Sequence, residues 1–473
     1  MDRRLFLTGG AAVTVASLAG PFAGAARASV TGEPRRARAY GRLRPMLDEA
    51  DGAVRLHLPP GFKYRSFSAT GENFRNGTRV PARHDGMAAF RGPRGSVYLI
   101  RNHEVNDAAG AFGDPATAYD PAAGGGTSTV RVSLRGQVLD SAPSLNGTLN
   151  NCSGGAMPWG SWISCEETVN GPDVGNDYSG GDNSRLQRKH GYIFEVPLNR
   201  RATARPIRSA GRFSHESVAF DPAGTGKLYL TEDNFVAPSG FYRYIPPRDP
   251  RRGGHLADGG RLQMLAVAGE PRKDLSAGQP RGAAYTVEWV DIDAPDPDFA
   301  AGLDNDSAAR AVGDQGRAKG AALFSRLEGA VYHHGVIYFT STQGGATAPG
   351  DTPPGGFGKG RGQVWAYETW SRKLRLVYES PGSRFLDLPD NITTSPRGTL
   401  VICEDGGGEN YMRGLTKQGE IFDFAMLVRP DGDSGAEFAG STFAPGGQTL
   451  FVNIQSTQGR TFAIWGPWQR GGF

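Results

Sequence analysis

Cysteine is scarce in this chain, and several familiar catalytic signatures are missing. Three cysteines in 473 residues, Cys152, Cys165 and Cys403, are too few for a disulfide framework. Two of them stand beside carboxylates, a setting that suits either a thiolate ligand or a small buried apolar side chain. The net charge of +4 is small for the length, and no basic tract carries interleaved aromatics, which argues against a nucleic-acid partner. No long amphipathic helix can be read. Past the N-terminal leader, no apolar run is long enough to span a membrane, so no stable membrane insertion is expected. There is no Gly-x-Ser-x-Gly elbow, no His-Glu-x-x-His and no Walker-type loop. The run Gly124-Gly125-Gly126-Thr127-Ser128 lacks the lysine that cradles phosphate and reads as a flexible loop.

What the chain has in plenty is glycine, 69 residues, and proline, 32 residues, punctuating short β-branched and aromatic runs. One pattern recurs six times: a strand, a Pro/Gly turn, a second strand, with polar or acidic residues at the outer ends. The clearest copies run from Ser214-His215-Glu216 to Glu232-Asp233-Asn234 and from Asp390-Asn391 to Glu404-Asp405. Looser copies join Asn151-Cys152 to Cys165-Glu166-Glu167, Glu437 to Asn453, Arg326-Leu327-Glu328 to Tyr338-Phe339-Thr340, and Asp85-Gly86 to Asn102-His103-Glu104. Antiparallel strands bring both polar ends of each hairpin together. Imperfect repeats of this length predict an all-β, six-bladed β-propeller with loop insertions and a central funnel-shaped metal site.

The N-terminus reads as a targeting segment. Arg3-Arg4-Leu5-Phe6-Leu7 precedes an Ala/Gly-rich apolar run, and Ala26-Arg27-Ala28 offers a cleavage site. Paired arginines of this kind predict a twin-arginine signal over 1–28, hence engagement with the twin-arginine export machinery and a periplasmic or extracellular location. A basic arm over 29–58 and a single propeller domain over 59–473 follow, with an insertion at about 247–319 that holds one strand-like piece near Tyr285–Val290. A monomer is expected.

The hairpin ends collect Asp85, Glu104, Cys152, Glu166, Glu167, His215, Glu216, Glu232, Asp233, Glu328, Asp390, Asn391, Glu404, Asp405, Glu437 and Asn453. Burying so many carboxylates at one mouth costs several kcal/mol per uncompensated ion, roughly. Arg101 and Arg326 are too few to offset it, so bound cations are the natural compensation. All-oxygen sets suit calcium, and a set with a thiol also suits a transition metal. Arg326 lies two residues before Glu328 and could anchor a phosphate oxygen or form a structural salt bridge. His103 and His215 are candidate ligands or general acids, or donors behind the ligands. The fourth copy ends in Thr340-Ser341-Thr342-Gln343 instead of acids, so a lopsided cluster is expected, built mainly from the second, third and fifth hairpins with Glu104 and Glu328 added.

Several of these blocks together resemble the PhoX-type alkaline phosphatases. They are Asn102-His103-Glu104, the continuous run from Asn151 to Glu167, Ser214-His215-Glu216, Arg326-Leu327-Glu328-Gly329, Pro389-Asp390-Asn391 and Cys403-Glu404-Asp405-Gly406, behind a twin-arginine leader. The resemblance runs from about Pro59 to the C-terminus. It implies a six-bladed propeller that hydrolyses phosphomonoesters outside the cytoplasm with Fe(3+) and Ca(2+). Carried onto this chain, it implies iron held by Cys152, or alternatively Cys165, with Glu167, Glu216 and Glu328. It implies calcium near Glu104, Asp390, Asn391, Glu404 and Asp405, with Glu232 a further metal candidate. Arg326 would grip the phosphate and, with Glu216 and Glu328, form the catalytic set. With no Ser or Thr nucleophile evident, a metal-bound oxide or hydroxide is expected to attack monoesters, and the same parts would serve diesters. A calcium-dependent lactone or ester hydrolase and a non-catalytic metal-binding propeller are the rival readings.

Overall fold

Six short hairpins organise the molecule, each closed by a Pro/Gly turn. Their strands are His84–Arg91 with Val97–His103, Asn151–Met157 with Ser161–Glu166, and His215–Phe220 with Leu228–Glu232. The remaining three are Leu327–His333 with Val336–Ser341, Pro389–Thr394 with Leu400–Glu404, and Glu437–Phe443 with Leu450–Gln455. The computed structural model describes residues 40–177, 183–198, 202–224, 226–416 and 418–473. The expected signal over 1–28 and the first part of the expected arm lie outside them.

The arrangement is all-β and propeller-like. The first strands of the six hairpins pack side by side in a closed ring, the sixth against the first. Outer strands extend each hairpin away from the axis. Apolar clusters fill the gaps between neighbouring groups: Ile163 and Ile193 meet Val218 and Tyr242 between the second and third, and Phe241 meets Ile337, Phe339 and Trp365 between the third and fourth. Met87 and Leu99 meet Phe451 and Ala463 where the ring closes. Strand Lys63–Phe67 pairs with Arg460–Trp465, so an early strand completes the last group. Arg44–Leu47 and Val54–Leu58 add to the outer edge of the fifth, beside Ile421–Leu427.

Six blades predict six separate sheets, but among the described residues hydrogen bonding makes five. Strand Ala284–Asp291 pairs with Arg261–Val267 on one side and Lys373–Glu379 on the other, fusing the third and fourth groups into one nine-stranded sheet. The stretch at 247–319 therefore carries two strands where the sequence suggested one. It also holds a 14-residue helix, Asn305–Ala318, capped by Asp304, which the sequence reading missed. Two glycines hide its periodicity. A Cβ at Gly316 would overlap the Met264 side chain, so that glycine lets the helix lie against its strand.

Candidate metal centre

All six first strands share a local irregularity. After their first residues the register slips, between His84 and Met87, Asn151 and Gly154, His215 and Val218, Leu327 and Ala330, Pro389 and Ile392, and Ala439 and Thr442. A bulge re-aims the side chains it contains. Here it turns Asp85, Cys152, Glu216, Glu328 and Asp390 out of the ladder. Four of the strands are entered through a left-handed residue that is not glycine: Arg83, Asn150, Arg326 and Leu388, with φ between 42° and 53°. Such conformations cost of order 1–3 kcal/mol each and persist only where the surroundings enforce them. The enforcement is visible. Their carbonyls accept from the residues just past the second strands: Glu104 N to Arg83 O at 2.9 Å, Glu167 N to Asn150 O at 2.9 Å, Thr342 N to Arg326 O at 2.8 Å and Asp405 N to Leu388 O at 2.8 Å.

Consecutive residues alternate direction in extended chain, and this splits the paired acids. The last residue of the second strand turns back into the fold. Glu166 accepts from Leu149 N, His190 Nδ1, Gly191 N and Tyr192 N. Glu232 accepts from Gly240 N at 2.8 Å and Tyr242 OH at 2.7 Å. Glu404 accepts from Asp387 N, Tyr411 N and Arg413 Nε. The next residue, Glu104, Glu167, Asp233 or Asp405, belongs to the mouth. Among the sequence candidates, Glu404 and one oxygen of Glu232 thus accept from donors on the outer strands and loops, while Asp233 stands in the cluster. Alternation was the available signal, but its phase was not.

Among the described residues, three groups of potential ligand atoms lie mutually within 4.8 Å: Cys152, Glu167 and Glu216; Glu167, Asp233 and Glu328; and Glu216, Glu328 and Asp390. They share members and so form one cluster from four hairpins. Cys152 is buried, and its Sγ lies 3.2 Å from the His215 carbonyl. Cys165 is also buried, but belongs to none of these groups. Burial, then repulsion from neighbouring acids, pushes Glu167, Glu216 and Glu328 well above the usual carboxylate range. Burial and the nearby Glu216 and Glu167 push the Cys152 thiol up as well.

A second, all-oxygen group adjoins the first. Asp85 and Glu437 are raised by burial and by neighbouring acids, while Glu104 and Asp390 are each pushed up to about 7. Gln455 donates to both Asp85 and Glu104. Asn391 donates to Asp390 at 2.8 Å. Within the two groups, Glu216 Oε1, Asp85 Oδ1 and Glu437 Oε2 are buried without a hydrogen-bond partner, and outside them Glu232 Oε1 is unpartnered too. Orphaned anionic oxygens of this kind fit bound cations: the thiol-containing set suits a transition metal, and the oxygen set suits a hard cation.

Arg326 is the cation nearest the first group. Its Nη2 lies 2.8 Å from Asp233 and 2.9 Å from Glu328, and Nε also reaches Asp233. Despite burial, Asp233 and Glu328 hold its pKa well above the usual arginine value. The histidines turn away from the cluster. His215 Nε2 donates to the Gly211 carbonyl, its ring lies tilted against Phe213 with centroids 3.6 Å apart, and burial pushes its pKa down to about 3. His103 sits between the Ala82 carbonyl and Ser128 Oγ. Beyond the bulges, a cavity of about 540 Å³ runs along the axis toward the hairpin turns, lined by the first strands.

A family model described as alkaline phosphatase PhoX matches residues 40–458. Among solved structures, Pseudomonas fluorescens PhoX in complex with vanadate, a transition state analogue, superposes with a TM-score of 0.63 at 18% identity, over 93% of this chain and 98% of that one. A gluconolactonase from Xanthomonas campestris gives 0.36 at 13% identity, over 93% and 99%. Virginiamycin B lyase from Staphylococcus aureus gives 0.36 at 11% identity, over 85% and 99%. No curated protein matches the chain significantly.

Proposed function

The chain belongs to the alkaline phosphatase PhoX family, and from that premise we propose that it is an exported, metal-dependent phosphomonoesterase. One observation carries the reading: a single buried cluster joins a thiol to carboxylates from four hairpins, with a guanidinium held at its edge. Six hairpins in a closed ring support a six-bladed propeller in which Ala284–Asp291 bridges two blades. The domain plan remains a twin-arginine signal over 1–28, an arm over 29–58 and one propeller to the C-terminus, acting as a monomer.

Cys152, Glu167, Glu216, Asp233 and Glu328 would hold iron. Glu104, Asp390, Asn391 and Asp405, with Asp85 and Glu437, would hold calcium. Bound, these cations supply Lewis acidity toward phosphoryl oxygens and an acidified water. The chain's own residues do the positioning. Asp233 and Glu328 orient the Arg326 guanidinium through Nε and Nη2, which leaves Nη1 for a phosphoryl oxygen. Such a preorganised donor strengthens as charge builds on that oxygen, and so favours the transition state. Asn150 donates to the Glu167 carboxylate at 3.3 Å and steadies it. Burial of the acids excludes competing water. The thiol within the cluster is what separates this reading from a calcium-only lactonase.

The test is a panel of phosphomonoesters and diesters offered to metal-replete protein at alkaline pH. Hydrolysis of monoesters, abolished by chelation, is the expected result. A replete sample inert toward the whole panel would refute the assignment.

A further inference from the structure

Two large apolar side chains stand in solvent at the acid end of the ring. Among the described residues, the other exposed large apolar side chains lie elsewhere. Leu47 and Val54 belong to the outermost hairpin, and Val138, Leu139 and Trp370 sit near the turns at the far ends of their strands. Phe235 and Val236, each 48% exposed, directly follow Asp233 and Asn234.

Their turn is built to hold them outward. Asn234 Oδ1 accepts from Val236 N at 3.2 Å and Ala237 N at 3.0 Å, and Asn234 N donates to Ser239 Oγ at 3.1 Å. The Phe235 carbonyl accepts from Phe357 N at 2.8 Å. The glycine at 356 lets backbone lie against one edge of the Phe235 ring, where a Cβ would come within 3.0 Å of a ring carbon. Near the ring stands Arg326, its guanidinium carbon 5.9 Å from the centroid, within reach of a cation–π contact. A fixed aromatic ring is therefore presented to solvent beside the cation proposed to bind phosphate. A rigid apolar surface binds without the ordering cost of a mobile one.

We propose that Phe235, with Val236 beside it, forms a ledge for the leaving group, and that the site favours phosphomonoesters whose alcohol carries an aromatic or similarly flat apolar ring. This rests on the phosphatase reading and on Arg326 as the phosphate contact. With the phosphoryl group at Nη1, the organic portion projects past the ring and stacks on it. Small hydrophilic esters gain nothing there.

Two paired comparisons test it. In the first, phenylphosphonate and methylphosphonate, which are not hydrolysed, are titrated into metal-replete protein. Wild type should bind the phenyl compound about two- to tenfold more tightly, the range of one aromatic contact. Phe235→Ala should bring the ratio close to one, and Phe235→Leu should keep part of it. In the second, kcat/KM for 2-phenylethyl phosphate is divided by that for ethyl phosphate. The leaving alkoxides are alike, so the ratio isolates the ring, and it should fall in parallel. A purely structural role for Phe235, through its packing on Arg326, would lower both members of each pair and leave the ratios intact. Ratios unchanged in Phe235→Ala, or no binding of either phosphonate, overturn the ledge. If the binding ratio behaves as expected while wild type hydrolyses neither ester, the phosphatase reading fails and the ledge stands as a phosphonate subsite.

Discussion

Glu232 and Asp233 are adjacent acids with opposite duties. Glu232 accepts from Gly240 N and Tyr242 OH through Oε2 and leaves Oε1 buried without a partner, outside the ligand groups, whereas Asp233 shares the cluster with Glu167 and Glu328 and holds Arg326. Asp233→Asn should lose metal and most activity while leaving the fold intact, read by elemental analysis and circular dichroism. Glu232→Gln should keep its metal but lose about 1–3 kcal/mol of stability in denaturant titration, because one buried partner becomes a mismatched amide. The cysteines divide in the same way. Cys152→Ala should lose iron. Cys165→Ala, outside every ligand group, should keep its iron and lose only packing. The sequence made all these residues conspicuous as a repeated end pattern. It left open which of two consecutive acids faces the mouth, because period-two alternation has no phase until the bulge and the strand pairing are known. For that reason the sequence points to Glu232 without Asp233, and to both Glu404 and Asp405.

At the scale of the strand, glycines set how closely the hairpins approach. A Cβ at Gly86 would stand 2.5 Å from Ser153 Cα, and one at Gly329 would stand 2.6 Å from Ile392 N. Each such residue lies directly after a cluster acid, on the bulge that aims it. Gly329→Ala should therefore lower the melting temperature, consistent with an overpacking cost of about 1–3 kcal/mol, and should also lower metal content by displacing Glu328. A melting temperature equal to wild type would mean the inner strands have room to spare. The hairpins themselves were legible, since Pro/Gly turns between β-branched runs are strong local signals. Strand Ala284–Asp291 as a bridge and helix Asn305–Ala318 were not. One depends on a partner far along the chain, and the other on glycines that suit its packing and spoil its periodicity.

For the whole molecule, closing the ring concentrates charge on one face. Burial raises Glu104 and Asp390 to about 7 in the folded chain. A carboxylate whose pKa is raised by folding contributes stability that is present below its ordinary value and lost as pH rises through the raised one. Metal-stripped protein should thus lose stability between about pH 4 and 7, and cation-loaded protein should not, so the gap in melting temperature widens with pH. His190, clasped by Glu166 and near Asp120, is raised to about 9. Its contribution is complete below its ordinary value of 6.5 and lost as pH climbs through 9, with or without metal. Both forms should share that second decline.

As proposed, the acid end of the ring is a mixed iron and calcium centre that hydrolyses phosphomonoesters. Elemental analysis of protein purified without chelator, paired with p-nitrophenol release from its phosphate ester on the same sample before and after chelation, tests it most directly. Iron and calcium should be retained together, and hydrolysis should be lost with them. Full hydrolysis by metal-free protein, or none by a sample carrying both metals, would contradict it.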